Sequence, residues 1–208
     1  MTEPELTRRR LIELGLALPP LALVLDKGGS LLGAADAAAA TPLPATPWCD
    51  DGDGDETPEQ TEGPYFTPGS PKRRSLLESG MAGTRLTLTG YVLSTRCKAI
   101  PRALLDFWHA DASGVYDNDG FRLRGHQFTD AKGRYSLETI VPGLYTGRTR
   151  HIHVKAQAPG KPVLTTQLYF PGEPQNKTDG IFDAALLMRW RKVGNRRVGR
   201  FDFVLDVN

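Results

Sequence analysis

The chain has 208 residues, of which 39% are hydrophobic and 24% are charged, so it can bury the core of one domain with a short appendage. Its formal net charge of +2 argues against a nucleic-acid-binding protein, which would carry a large basic surface.

Residues 1–40 have the composition of an export signal. Three arginines, Arg8 to Arg10, precede an apolar stretch over residues 11–25, and small residues follow. This order is typical of a leader for secretion, and the apolar stretch is too short to span a bilayer as a helix. The paired arginines favour the twin-arginine route, which predicts a bacterial protein that is secreted or held at the cell surface. The alternative is a basic tail on a short N-terminal helix.

Residues 41–60 are rich in proline, alanine and aspartate and predict a linker, which leaves residues 61–208 as the folded domain. The two cysteines, Cys49 and Cys97, are neither next to a histidine nor part of a CxxC motif, so metal ligation is their weaker interpretation. In the oxidising compartment that export implies, one pair of cysteines indicates one disulfide.

From about residue 84 onwards, apolar and polar residues alternate with a period of two. The segments with this pattern are RLTLTGYVLS, RALLDFWHA, GRYSLETIV, RHIHVKAQA, VLTTQLYF and RFDFVLDV. Short strands between frequent turn residues predict an all-β fold. We expect a β-sandwich of mainly antiparallel strands with long loops and little helix, and a barrel is the alternative.

Two further segments have local predictions of their own. TDAKGRY, over residues 129–135, predicts a hairpin turn, and the stretch from Asp183 to Arg191 predicts a short helix. The basic run RWRKVGNRRVGR, over residues 189–200, is typical of a solvated loop and helix face, with an anion-binding patch as the alternative.

Two of the four histidines, His151 and His153, stand one residue apart. In a strand their side chains point to the same face, roughly 6–7 Å apart, where they could bind one metal ion. The alternative is a surface strand with two solvated histidines. The other two, His109 and His126, are expected to be structural.

Two tyrosines flank this pair in loops rich in glycine and proline. Tyr116 lies in WHADASGVYDNDG and Tyr145 in VPGLYTGRTRHIH. Each alone is typical of a packed aromatic residue. Their order with the histidine pair, however, resembles the catalytic core of the intradiol ring-cleavage dioxygenases, as do TPEQTEGPYF upstream and TTQLYF downstream.

The resemblance implies a site for one non-haem Fe(III) ion, with long loops of the sandwich around it. Two phenolates are hard anionic ligands that suit ferric iron, and imidazole also binds iron. Tyr145 would be the axial ligand that leaves when substrate binds and takes a catechol proton. The four implied ligands are Tyr116, Tyr145, His151 and His153.

The same resemblance assigns roles beyond the metal. Arg148 and Gln167 would act on charge that develops during the reaction, and Pro64 and Tyr65 would form part of the pocket wall. It also implies an exported branch of the family in which Cys49 and Cys97 are bridged.

The implied activity is cleavage of a catechol by O₂ to a cis,cis-muconate-type product. The alternatives are a non-catalytic secreted binding module and a zinc hydrolase that uses the histidine pair. A carboxylated catechol would need a cationic partner, for which Arg122, Arg124 and Arg150 are the candidates. Cytoplasmic catechol enzymes of the family have a helical dimerisation region, which the leader and linker replace here, so their dimer is not carried over.

Overall fold

The structure, a computed structural model, describes Leu43, Cys49 and residues 54–207. The predicted export signal lies outside these residues, and the linker is described only in part. The described residues form nine strands: β1 Arg85–Ser94, β2 Leu104–Trp108, β3 Arg124–Phe128, β4 Arg134–Ile140, β5 His151–Gln157, β6 Val163–Tyr169, β7 Arg189–Val193, β8 Arg196–Arg200 and β9 Phe203–Leu205. Two short 3₁₀ helices, Pro174–Lys177 and Ala184–Leu186, complete them.

The strands form two sheets. One has the order β4-β1-β8-β7, with β9 also paired to β1, and the other has the order β3-β2-β5-β6. Pairing is antiparallel except where β1 meets β8 and β9. The predicted sandwich of mainly antiparallel strands is therefore confirmed. Within the described ranges, no helix has the length and apolar character needed to cross a membrane.

The core lies between the facing sides of the two sheets. In β1, Leu86, Leu88 and Val92 are fully buried at alternate positions. In β5, the alternate residues Ile152 and Val154 belong to the same core. Since side chains alternate along a strand, the two histidines of β5 point to the opposite, outer face of their sheet.

The covering segment, residues 57–75, buries this outer face although it contains no regular strand. The amide of Gln60 donates to the carbonyl of Thr165 on β6 at 2.8 Å, and the amide of Arg73 donates to that of His126 on β3 at 2.9 Å. The histidines of β5 lie between these two ends, so the segment closes over them.

Two predictions from local pattern are wrong. The stretch from Asp183 to Arg191 forms only one 3₁₀ turn, Ala184–Leu186, and then enters β7. Trp190 takes part in that strand because its ring packs against Phe170, with the centroids 5.3 Å apart. The basic run over residues 189–200 is thus the β7–β8 hairpin, with Gly194 in its two-residue loop at a φ of 58°, a conformation that glycine adopts readily.

The turn over residues 129–135 is also not a hairpin turn. It follows β3 and precedes β4, but β3 pairs with β2 and β4 pairs with β1. The Asp130 carboxylate accepts hydrogen bonds from the amides of Lys132 and Arg134 at 2.8 and 2.9 Å. These residues do form a turn, as predicted, but the turn connects a strand of one sheet to a strand of the other.

The structure contains the expected disulfide between Cys49 and Cys97, whose Cα atoms are 5.4 Å apart. The amide of Gly54 donates to the carbonyl of Thr95 at 2.7 Å. The chain just before the covering segment is therefore attached just beyond the C-terminal end of β1.

Gly90 provides a test of the packing between β1 and the start of β9. A Cβ at this position would lie 1.7 Å from the Phe201 carbonyl oxygen and 2.9 Å from the Tyr135 ring. We expect Gly90→Ala to lower the free energy of unfolding by about 3 kcal/mol, because backbone has to move. Urea unfolding measures it.

Gly180→Ala is the matched control, since a Cβ there meets nothing within 4 Å. Its effect should stay below about 0.5 kcal/mol. Equal effects of the two substitutions would contradict the close approach at Gly90.

Candidate metal centre

The two histidines of β5 meet at their Nε2 atoms, which are 3.1 Å apart. The Nδ1 of His151 lies 2.6 Å from the Thr149 carbonyl oxygen, so Nδ1 carries the proton and Nε2 presents a lone pair. The ring of His153 stacks on Trp108 at 4.8 Å, with 8° between the planes. Both imidazoles are therefore fixed in orientation.

Tyr116 joins the histidine pair from the loop after β2. Its hydroxyl lies 3.2 Å from the Nε2 of His151. The loop is shaped by Asp111, whose carboxylate accepts hydrogen bonds from the amides of Ser113 and Val115 at 2.8 and 3.1 Å. Three of the four predicted ligands thus bring their donor atoms to one place.

Tyr145 lies next to this group but does not hydrogen-bond to it. Its ring meets the Tyr116 ring edge-on, with the centroids 5.8 Å apart, and its hydroxyl lies 2.9 Å from the hydroxyl of Tyr65. Tyr65 in turn stacks on Tyr116 at 4.5 Å. The fourth predicted ligand is thus paired with the predicted wall residue.

The positions of the donor atoms suit ligation of one metal ion better than hydrogen bonding among themselves. The single lone pair on the Nε2 of His151 faces two groups, the Nε2 of His153 and the hydroxyl of Tyr116. In addition, the buried Nδ1 of His153 has no hydrogen-bond partner. Separations of about 3 Å are those of neighbouring ligands on one ion with bonds of about 2 Å.

Burial sets the protonation of these groups. It lowers the pKa of His151 to about 4 and that of His153 well below its ordinary value, which keeps the imidazoles in their neutral, metal-binding form. Burial also raises the pKa of the Tyr116 hydroxyl. A phenolate at this position therefore requires a nearby cation such as a metal ion.

Arg148 and Gln167 meet beside the histidines. The Nη2 of Arg148 donates to the Oε1 of Gln167 at 2.7 Å, and its Nε donates to the Asp179 carboxylate at 2.9 Å. Gln167 lies directly opposite His153 in the β5–β6 pairing. The predicted catalytic pair is thus in the site, and it is fixed by Asp179, which no sequence pattern singled out.

Comparisons with known proteins show the family of the chain. A family described as dioxygenase matches residues 61–207, which is more than half of the chain. The chain belongs to the intradiol ring-cleavage dioxygenase family.

Two of the similar proteins are named as catechol and hydroxyquinol dioxygenases. The chain is 32% identical over 152 residues to catechol 1,2-dioxygenase 2 of Acinetobacter lwoffii, which covers 61% of this chain and 55% of that protein. It is 29% identical over 153 residues to hydroxyquinol 1,2-dioxygenase of Nocardioides simplex, covering 62% and 52% of the two chains. The match therefore spans about half the length of these relatives.

Solved structures show the same fold. The dioxygenase domain of a dioxygenase carbohydrate-binding protein fusion from the cellulolytic bacterium Streptomyces sp. SirexAA-E is 64% identical, with a TM-score of 0.73, and covers 74% of this chain and 100% of that chain. For 3-chlorocatechol 1,2-dioxygenase from Rhodococcus opacus the identity is 29%, the TM-score 0.68 and the coverage 72% of each chain.

A glycine that sequence reasoning missed lies against His153, one of the predicted ligands. Gly63 has a φ of 70°, and a Cβ there would lie 3.4 Å from the Cε1 of His153. Its neighbour Pro64, a predicted wall residue, is exposed in a turn. The segment EGPYF could have suggested Gly63, since glycine permits close backbone approach.

His109 is structural, as predicted. Its Nδ1 lies 2.7 Å from the Ala110 carbonyl oxygen, and its Nε2 lies 2.7 Å from the Thr139 hydroxyl. The ring thus connects the end of β2 in one sheet to β4 in the other. Burial lowers its pKa to about 4.

The three buried histidines make the metal-free protein sensitive to acid. Their pKa values are lower in the folded than in the unfolded state, so the unfolded state takes up protons first as the pH falls. The free energy of unfolding is therefore highest above about pH 6.5 and decreases as the pH falls below that value. Between pH 7.5 and 5.5 we expect the free energy of unfolding to fall by about 4 kcal/mol, or about 1.4 kcal/mol per histidine. Urea unfolding at both pH values measures it.

His153→Gln removes one of these titrating groups. The fall between the two pH values should then decrease by about 1.4 kcal/mol. The same fall in variant and wild type would show that His153 is not a neutral buried imidazole.

Proposed function

We propose that the domain catalyses the Fe(III)-dependent intradiol cleavage of catechols by O₂ to cis,cis-muconate-type products. The observation that carries the proposal is the convergence of one phenol hydroxyl and two imidazole nitrogens within 3.2 Å, with a second phenol beside them. This donor set suits a hard ferric ion. The ligands would be Tyr116, Tyr145, His151 and His153.

Bound Fe(III) would supply Lewis acidity, which holds the catecholate and makes its ring reactive towards O₂. As the phenolate that a bound ferric ion would stabilise, Tyr145 would accept a proton from a catechol hydroxyl at its Oη and become a neutral phenol. The hydroxyl of Tyr65, 2.9 Å away, gives that oxygen a hydrogen-bond partner on the protein.

Arg148 and Gln167 would stabilise negative charge that develops on the substrate. The guanidinium is held at Nε by Asp179 and at Nη2 by Gln167, and the Nε2 of Gln167 donates to the Thr61 carbonyl at 2.9 Å. A donor that is already fixed needs no reorganisation during the reaction, which is the main source of electrostatic catalysis.

The surroundings favour an uncharged substituent on the catechol. Val115 and Leu144, which adjoin Tyr116 and Tyr145 in the sequence, are apolar side chains that are 62% and 40% exposed, and Val115 lines a cavity together with Tyr116 and Arg122. Of the candidate partners for a carboxylate, Arg150 is bonded to Glu173, and Arg124 is buried and bonded to backbone carbonyls. Arg122 is exposed.

The two alternatives explain less of the site. A binding module gives no role to the convergence of Tyr116, His151 and His153 or to Tyr145 beside them. A zinc hydrolase needs a third protein ligand beside the histidine pair, whereas residues 54–207 hold no suitable group of three His, Cys, Asp or Glu side chains. The third group that approaches the histidine pair is instead the phenol oxygen of Tyr116.

Export through the twin-arginine route stays a proposal. It is supported by Arg8 to Arg10 in the sequence and by the disulfide, which is typical of proteins outside the cytoplasm. Because that route carries folded proteins, the metal could be taken up before export.

The visible absorption spectrum of the purified protein loaded with Fe(III) tests the metal centre. We expect one iron ion per chain and a broad tyrosinate-to-iron band that shifts when catechol is added without O₂. Tyr145→Phe and Tyr116→Phe should each alter the resting band, because each removes a phenolate. Tyr91→Phe, on β1 and away from the site, is the matched control.

A protein that stays colourless after ferric reconstitution would overturn the dioxygenase proposal and favour the binding module.

With an active protein, comparison of catechol and protocatechuate tests the inference about the uncharged substituent. A higher kcat/KM for protocatechuate would contradict it.

Arg148→Lys tests the charge-stabilising pair. A lysine keeps the charge but cannot bond to Asp179 and Gln167 in the same fixed plane, so we expect kcat to fall by about 10²–10³-fold. Steady-state kinetics with catechol measures it. Arg150→Lys, two residues away and outside the Gln167 contact, should leave kcat within about threefold, and an equal loss in both variants would contradict a specific role for Arg148.

A further inference from the structure

Arg124 is a buried cation without a carboxylate partner. Its side chain lies on β3, the residue is only 2% exposed, and no carboxylate of the described residues lies within ion-pair distance of it. Its Nη1 donates to the Tyr65 carbonyl, and its Nη2 and Nε donate to the Asp117 carbonyl at 2.6 and 3.1 Å. A buried charge that is bonded only to neutral groups is costly, so its position calls for an explanation.

The two carbonyls belong to the two segments that bring phenols to the metal centre. Asp117 directly follows Tyr116, and Tyr65 lies in the covering segment. The rings of Tyr65 and Tyr116 stack with 18° between their planes, and the hydroxyl of Tyr65 meets that of Tyr145. One guanidinium therefore binds the backbones of two segments that are far apart in the sequence and adjacent at the site.

The sheet fixes this guanidinium relative to a histidine ligand. Arg124 on β3 lies directly opposite Trp108 on β2, which lies directly opposite His153 on β5. Residues opposite each other in antiparallel strands point to the same face. Arg124, which bonds to the backbone of both tyrosine segments, therefore lies in the same cross-strand row as His153.

We propose that Arg124 is a positioning residue of the metal centre, which sets the phenols of Tyr65 and Tyr116 relative to the imidazole of His153. Its consequence for catalysis rests on the proposed function. The planar, forked guanidinium donates in two directions at once, and a lysine ammonium cannot reproduce that geometry.

Arg73 offers a matched control. Its Nε donates to the Arg124 carbonyl at 3.0 Å, and its Nη2 donates to the Phe121 carbonyl. It therefore makes bonds of the same kind and, as a residue of the covering segment, also joins that segment to the β2–β3 connection, but it does so away from the tyrosines and bonds neither to Tyr65 nor to Asp117. A purely structural role would be shared by the two arginines.

The experiment compares Arg124→Lys and Arg124→Gln with Arg73→Lys and Arg73→Gln in the full chain reconstituted with Fe(III). Three quantities are measured: the position of the tyrosinate-to-iron band, kcat and KM for catechol, and the free energy of unfolding. We expect the band to shift and kcat to fall by about 10–100-fold in the Arg124 variants, because a small misplacement at a reacting centre is costly. The Arg73 variants should keep the wild-type band and kcat within about threefold.

Unchanged band and kcat in Arg124→Lys would overturn the proposal, and so would equal changes in the Arg73 variants. If neither Arg124 variant folds while both Arg73 variants do, the residue supports the fold and the positioning role is wrong. Failure of the proposed function is distinguishable, because the wild-type protein would then show no tyrosinate-to-iron band at all.

Discussion

The site depends on the packing of the covering segment against the outer face of the β3-β2-β5-β6 sheet. Without that segment, the polar side chains of this face would be exposed to water. The segment hydrogen-bonds to β6 at one end and to β3 at the other, and between these ends it places Gly63 against His153 and Tyr65 against Tyr116. The hydrophobic core packs against the inner face of the sheet, and the covering segment encloses the candidate metal centre on the outer face.

The candidate metal centre is a buried polar cluster whose donor atoms do not satisfy one another. Its imidazoles are neutral and its phenol is protonated because burial disfavours charge in each of them. Its lone pairs and hydroxyls exceed the hydrogen bonds that they can form with one another. A cation resolves both problems at once, since it ionises the phenol and occupies the lone pairs.

Alternation in the sequence allowed the sandwich to be predicted and the two histidines to be placed on one face of a strand, whereas Tyr116 and Tyr145 became candidate ligands only through the family resemblance. β1, β4 and β5 alternate clearly, and a period of two is enough to put His151 and His153 on one face. β7 and β8 were missed because their positions are mostly charged. The apolar partner that places Trp190 in a strand, Phe170, is distant in the sequence.

The supporting residues of the site could not be predicted for a similar reason. Asp179 and Arg124 act through bonds to groups that are remote along the chain, and nothing in their neighbouring residues marks those bonds. From the sequence, Arg124 is a candidate partner for a substrate carboxylate. The structure instead shows it buried beneath the tyrosine segments, a position that only the pairing of β3 with β2 determines.

The disulfide between Cys49 and Cys97 has a consequence for how a metal ion exchanges. It joins residues 48 positions apart, and the closed loop contains the whole covering segment. That segment pairs with the sheets only through isolated bridges and single hydrogen bonds, so its local opening should cost less than unfolding of the sheets. A displaced cover tethered at Cys49 searches only a small volume before it closes again. We therefore expect the crosslink to govern how long the centre stays open, and hence how readily a bound ion is lost.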